Sequence, residues 1–319
     1  MVLKLDTFNN KLQVAVLTGG IGAERQISLQ SGNCVAEALK QAGFNVVTFD
    51  IRPDRLDILE DDSIDVFFPA LHGQFGEDGQ LQQILEDKSL LFAGSGSAAS
   101  QSAFEKMTGK KLFAEAGVTV PAAVEFDNQV ENEEIEEKLR YFTDKYVIKP
   151  IRQGSSVGVS IVSTAGEAIK IARETFNRYG DCMIEEFVPG REVTVSVLCG
   201  RTLPIIEIRT QSSFYNYHAK YIDEQTEFLF DTITEPSIAE RINQAALDCF
   251  DAIGCRHFAR VDFILSEDNV PYALEINTIP GFTTHSLLPK AAAKAGLSMS
   301  DLCKKIVETA YSPLVEHQA

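Results

Sequence analysis

Short apolar runs, glycine-rich turns and stretches of helical spacing alternate through the first third of the chain. Residues 14–17 are apolar and β-prone; they meet Thr18-Gly19-Gly20-Ile21-Gly22 and then a helical pattern through Ile27, Val35, Ala36 and Leu39. The order is strand, turn, helix. Further strands are predicted at 45–49 and 66–71, with helical stretches between or after them. Such alternation predicts a parallel sheet whose functional loops follow the carboxyl ends of the strands.

The pattern changes after Leu91-Phe92-Ala93-Gly94-Ser95-Gly96, and a helix is predicted over 99–116. Strand candidates then fall at 118–126, 146–149 and 157–162, with a charged helix among them and another over 166–179. This mixture predicts a small α+β unit. Beyond Glu185, alternating Val193, Val195 and Val197 predict a half-exposed antiparallel strand, followed by strands near Leu203, over 258–265 and over 272–276. The expected architecture is α/β and α+β in three subdomains: an amino-terminal parallel-sheet (Rossmann-like) unit over 1–94, a central unit over 95–185 and a carboxy-terminal unit over 186–319.

Composition narrows the partners. The 319 residues are 45% hydrophobic and 24% charged, a globular rather than disordered profile. A net charge of -17 opposes nonspecific attraction to nucleic acid or anionic lipid, so neither is an expected partner. The 6 cysteines show neither a CxxC pair nor metal-like spacing and read as free thiols. The first residues lack the apolar core of a signal peptide, and no apolar run of about 18 follows, so a cytoplasmic protein is expected.

Candidate chemistry concentrates where polar residues interrupt apolar strands. Lys149-Pro150-Ile151-Arg152-Gln153-Gly154-Ser155-Ser156-Val157-Gly158 joins a lysine-bearing strand to a glycine and serine loop. Its backbone N–H groups and hydroxyls could close over phosphates, although the segment alone also reads as a hairpin turn. Arg260-Val261-Asp262 and Glu275-Ile276-Asn277 lie in two strand candidates, and period-two geometry sets Glu275 and Asn277 on one face. Oxygen-bearing side chains converging from adjacent strands suit Mg²⁺ better than a set of surface acids would. The turn 278–286 leads into an amphipathic helix whose first N–H groups suit a carboxylate or oxyanion; Ser286 also reads as a simple N-cap. The chain has no GxxxxGK[ST] loop, and its glycine turn lacks the full G-x-G-x-x-G spacing, which makes a NAD-dependent oxidoreductase a poor fit.

Taken together, residues 20–28, 70–79, 149–158, 215–221, 260–262 and 275–287 resemble D-alanine:D-alanine ligases of the ATP-grasp type, in one order from about Val14 to Tyr311. The resemblance implies an ATP-grasp fold with ATP between the central and carboxy-terminal units. It implies that Lys106, Lys149 and Lys220 contact ATP phosphates, that Ser155 closes over the site, and that Glu185, Glu186, Phe187, Val188 and Glu192 hold adenine and ribose. Asp262, Glu275 and Asn277 would coordinate two Mg²⁺ ions, with Mn²⁺ as a substitute. Glu24 and His72 would hold the first D-alanine; read alone, Glu24 is a helix-start carboxylate and His72 a structural histidine. Ser286 and the Leu287 N–H would hold the second D-alanine, while Arg260 and the Gly281 N–H would stabilise the tetrahedral oxyanion. Ser155 and Tyr221 would complete a triad with Glu24, and tyrosine rather than histidine at 221 favours D-alanine over D-lactate as nucleophile. The implied reaction is ATP-dependent synthesis of D-alanyl-D-alanine through D-alanyl phosphate, for peptidoglycan precursors, by a chain that resembles homodimeric enzymes. D-lactate, D-serine or another amino acid as second substrate, or a noncatalytic ATP-binding regulator, are the competing readings.

Overall fold

The computed structural model describes residues 12–22, 24–143, 145–210 and 226–312, so Lys220, Tyr221 and the tail 313–319 lie outside the described residues. Strand β1 (Gln13–Gly19) lies between β2 (Asn45–Ile51) and β3 (Val66–Pro69) in a parallel three-stranded sheet. Helix α1 (Arg25–Gln41) supplies the first crossover, with Val35 and Leu39 buried on its inner stripe. On the other face, Ala15, Leu17 and Phe67 pack with Leu81 and Leu85 of α2 (Gln80–Asp87). Burial on both faces explains why β1 and β3 read as continuous hydrophobic runs, whereas the edge strand β2 exposes Asn45 and Thr48.

The helix predicted over 99–116 is two helices, α3 (Ser97–Phe104) and α4 (Lys106–Glu115). Glu105 between them has ψ 98°, an extended setting, and its carboxylate caps α4 by accepting from Thr108 N. An N-cap needs a nonhelical backbone, so the cap itself breaks the run. The break makes Lys106 the first residue of α4. In the core, Ala99, Ala103 and Phe113 pack with Val193, Val195, Val261 and Phe263, so α3 and α4 side with the large carboxy-terminal sheet.

The central sheet has the order β4 (Ala123–Glu125), β7 (Cys182–Glu186), β5 (Tyr146–Pro150), β6 (Ser160–Val162), with every pairing antiparallel. The strands predicted at 118–126 and 157–162 are thus shorter than expected: Pro121 precedes the first, and the turn through Gly158 uses up the start of the second. Helices α5 (Asn132–Leu139) and α6 (Ala165–Tyr179) cover one face through Ile135, Leu139, Ile169 and Ala172.

The large sheet runs β11 (Glu227–Leu229), β10 (Ile206–Arg209), β8 (Gly190–Leu198), β12 (Phe258–Ser266), β13 (Pro271–Asn277), with the short β9 (Arg201–Thr202) beside β8. Helix α7 (Pro236–Ile253) lies on one face, burying Ile242, Ala246 and Cys249 against the β8 valines. Strand β8 is not half-exposed as its alternation predicts; Thr194 and Ser196 on the opposite face are buried too. Their burial follows from a second covering layer, in which Phe258, Phe282 and Leu288 join Val14, Val16 and Phe68 of the first sheet. Helices α8 (Leu287–Lys294) and α9 (Met299–Tyr311) complete it, and Leu302, Ile306 and Val307 of α9 pack in the same core as Val35 and Leu39. No helix among the described residues is long and apolar enough to cross a membrane.

Candidate active site

The polar residues that interrupt β12 and β13 meet one another. Antiparallel register sets Asp262 opposite Glu275 and Arg260 opposite Asn277, with a bulge just after Asp262. Thr194 Oγ1 donates to Asp262 Oδ1 at 2.6 Å, and Arg260 grips both carboxylate oxygens at 2.8 Å each. Lys106 Nζ stands 3.3 Å from Glu275 and donates to the Gln153 carbonyl at 2.6 Å. Asn277 Oδ1 accepts from Ile279 N at 2.9 Å, which fixes the start of the turn toward Gly281.

Two pockets adjoin along this line. The larger, about 550 Å³, lies between the central and large sheets, and Lys106, Lys149, Asp262 and Glu275 line it. Glu185, Glu186, Phe187, Val188 and Glu192 border the same space. Its size falls within the range of roughly 300–1,000 Å³ common for organic ligands. The smaller, about 130 Å³, is lined by Glu24, His72, Ser155, Arg260, Gly281, Ser286 and Leu287, and shares Lys106, Gln153 and Glu275 with the first. A phosphate at the junction would face one lysine, Lys106, and one carboxylate, Glu275.

Glu24 occupies the N-cap position of α1 but makes no side-chain cap; its Oε1 accepts from Ser155 Oγ at 2.6 Å. A side chain on Gly73 would not fit beside it, because a Cβ there would stand 2.3 Å from Glu24 Oε2. Ser155 and Ser156 hold φ of 53° and 57°, consecutive left-handed residues with side chains, each of which costs on the order of 1 kcal/mol. Of the expected triad, Glu24 and Ser155 are hydrogen-bonded to each other, and Tyr221 lies outside the described residues.

His72 is held on every side. Ser31 Oγ lies 2.9 Å from Nε2, Nδ1 lies 3.1 Å from the Ile279 carbonyl, and His72 N donates to Ser28 Oγ at 2.9 Å. Donation from Nδ1 to that carbonyl leaves Nε2 to accept from the serine. His72 is thus a fixed wall of the small pocket. Ser286 takes the N-cap position of α8 without capping it; its Oγ accepts from Thr283 N at 3.0 Å. The first-turn N–H groups, including that of Leu287, have no i−4 acceptor within the helix. A Cβ on Gly281 would fall 2.5 Å from Ser286 Oγ, so a side chain there would displace the serine hydroxyl.

At the floor of the larger pocket, Glu185 is buried between two lysines: Lys110 Nζ at 2.6 Å from Oε1 and Lys149 Nζ at 2.8 Å from Oε2. Burial pushes the Glu185 carboxyl up, but Lys149 and Lys110 overcome it, leaving the group below its ordinary range. Burial lowers the Lys110 ammonium to about 8, against the opposing pull of Glu185.

A family model described as D-ala D-ala ligase C-terminus matches residues 112–308. The D-alanine–D-alanine ligase of Methylacidiphilum infernorum is 36% identical over 299 residues, covering 93% of this chain and 95% of the relative. The chain belongs to the D-alanine–D-alanine ligase family. Its fold matches that of the D-alanine–D-alanine ligase from Bacillus anthracis complexed with ATP, at 32% identity and TM-score 0.83, over 97% of this chain and 99% of the other. A D-Ala:D-Ser ligase from Enterococcus faecalis matches at 28% identity and TM-score 0.82, over 94% and 99%. The three-unit ATP-grasp architecture is thus that of the ligase family.

Sequence reasoning missed four residues of this ligase-family site. Lys110 and Thr194 hold Glu185 and Asp262, Gln153 offers its carbonyl to Lys106, and Glu77 accepts from Gly73 N at 2.8 Å beside His72. Lys110 stands four positions after Lys106, one helical turn on, and that spacing was the available signal. Among the described residues no group of three or more His, Cys, Asp or Glu could hold a metal, so the expected set depends on the amide of Asn277 joining two carboxylates.

Proposed function

We propose that the protein joins two D-alanine molecules, converting ATP to ADP and phosphate, with a D-alanyl phosphate as the intermediate. The observation that carries this reading is the junction of a nucleotide-sized pocket with a small polar one at Lys106, Gln153 and Glu275. The carboxylate of the first D-alanine takes the γ-phosphoryl group there, and ADP leaves. The amine of the second then attacks the acyl carbon, and phosphate leaves with its two electrons.

In this reading Glu24, fixed by Ser155, receives the ammonium of the first D-alanine, and the His72 wall limits its depth. Ser286 Oγ and the Leu287 N–H take the carboxylate of the second at the positive end of α8. Arg260 and the Gly281 N–H face the oxyanion, a role worth about 10²-fold or more in rate for a positioned donor. Lys106 and Lys149 offset phosphate charge, with Lys220 added from outside the described residues, and Glu185, Glu186, Phe187, Val188 and Glu192 hold the adenine and ribose. Tyr221 joins Ser155 and Glu24 to orient the incoming amine.

Asp262, Glu275 and Asn277 would hold Mg²⁺. Their oxygen donors are of the hard type that ion prefers, and Arg260 against Asp262 and Lys106 against Glu275 mark these carboxylate oxygens as the cation-attracting atoms of the site. When bound, Mg²⁺ supplies charge neutralisation for the transferring phosphoryl group.

The test is phosphate release from ATP and Mg²⁺ with D-alanine, L-alanine, or D-alanine plus D-lactate or D-serine, with mass analysis of products. A D-alanine-dependent dipeptide supports the reading. ATP binding without phosphate release or product points to the noncatalytic alternative, and a D-alanyl-D-serine or depsipeptide product reassigns the second substrate. Lys149→Ala is expected to weaken ATP use, Glu275→Ala to abolish metal-dependent turnover, and Tyr221→His to admit D-lactate.

A further inference from the structure

Lys110 has no part in the chemistry so far, and it does not border either pocket. It is nonetheless 5% exposed, beside Glu185 at 2% and Lys149 at 8%. A lysine is rarely buried unless paired, and a second lysine on one carboxylate exceeds what neutralising that carboxylate requires. The three groups come from separate elements, α4, β7 and β5. Their charges sum to one positive.

The consequence lies in the pocket. Were Glu185 paired with Lys149 alone, the carboxylate would cancel the Lys149 ammonium that lines the larger pocket, and this cluster would present no net charge to a polyphosphate. The geometry points to Lys110 as a positioning residue that occupies one oxygen of Glu185, so that Lys149 keeps its charge for the nucleotide phosphates while Glu185 stays ionised and fixed. The inference rests on the reading that ATP occupies this pocket. It separates two duties of the floor: Glu185 recognises the nucleoside end, and the excess charge recognises the phosphates. Lys110 touches neither. Its depressed affinity for a proton accords with a cation kept in place at some cost for a purpose.

A ratio of affinities isolates this effect. Calorimetric titration of the full chain with ATP and with adenosine gives two dissociation constants, and their ratio reports what the phosphates contribute, because a disturbed adenine site affects both ligands. Lys110→Met takes the cluster from one positive to zero, and the ATP preference is expected to fall about tenfold, the effect of one unit charge in a partly desolvated site. Lys110→Arg keeps the charge and is expected to stay near the parent. The double variant Lys110→Met with Glu185→Gln again carries one positive charge, and the preference is expected to return to within about threefold of the parent.

A Lys110→Met protein with unchanged preference overturns the inference. So does a double variant that remains as low as Lys110→Met, since lost packing rather than lost charge would then be the cause. Should Lys110→Met fail to fold, the double variant decides alone: a parent-like ratio supports the charge count, and a ratio about tenfold lower refutes it. Lys149→Ala serves as the control for the underlying reading. If its ATP preference is unchanged, the pocket assignment fails, independently of Lys110.

Discussion

Glu24 sits where Gly73 leaves room for it. Gly73 has φ 71°, and a Cβ there would press on Glu24 Oε2. Gly73→Ala is expected to push the carboxylate off Ser155 and raise the KM for the first D-alanine at least about tenfold, with ATP affinity unchanged; steady-state kinetics with each substrate varied checks this. His257 makes a different prediction. Its Nδ1 accepts from Gly94 N at 2.9 Å, and burial lowers its pKa to about 4. Between about pH 6.5 and 4 the unfolded chain therefore binds a proton that the folded one does not, so stability falls as the pH drops through that window, by up to about 3 kcal/mol. Asn suits both the left-handed backbone at φ 61° and the acceptor position, so His257→Asn is expected to flatten that part of the pH–stability curve in denaturant titrations. Residues such as Asp262 and Glu275 were legible because carboxylates inside apolar strands break the pattern. Lys110 was not: a lysine on a helix reads as solvated, and its partner lies 75 positions away.

Among elements, the turn carrying Gly281 owes its rigidity to the residue that follows. Phe282 is buried, with its ring edge-on to Phe68 at 5.4 Å and to Phe258 at 5.5 Å, and thus ties the first sheet, the large sheet and the turn together. Phe282→Ala is expected to cost about 3 to 5 kcal/mol in denaturant unfolding and to raise the KM for the second D-alanine more than that for ATP. The capping carboxylate of Glu105 is the other fixed point: Glu105→Ala is expected to cost about 1 kcal/mol and to weaken ATP binding by loosening Lys106 at the start of α4. Helical spacing across 99–116 concealed this break, since one polar residue does not disturb a 3.6-residue period, whereas hydrogen bonding of the cap does. Strands 45–49, 66–71, 258–265 and 272–276 were legible within a few residues because their apolar and β-branched side chains dominate runs of four or more residues, even where Arg260, Asp262 and Glu275 interrupt them; the strands near 118 and 157 were not, since each keeps only three paired residues.

Across the whole molecule, chain order and packing order diverge. The first sheet forms its deep core with Phe258, Phe282, α8 and α9, all from the last quarter of the sequence, and α3 and α4 serve the large sheet rather than the small one beside them in sequence. Pattern and turns give the number of sheets, but such distant pairings follow only from which apolar faces fit each other, and a linear reading does not contain that. Deleting 299–311 is expected to uncover Val35 and Leu39 on α1 and to yield a protein that binds hydrophobic dyes and aggregates, measurable by fluorescence and light scattering. The same arrangement bears on biosynthesis. The first strands leave the ribosome long before the helix that roofs them has been translated, so the earliest-made layer is the last to be sealed. A nascent chain of this protein carries an unfinished apolar face through most of its synthesis, and its yield in the cell depends on what shields that face until the final helix arrives.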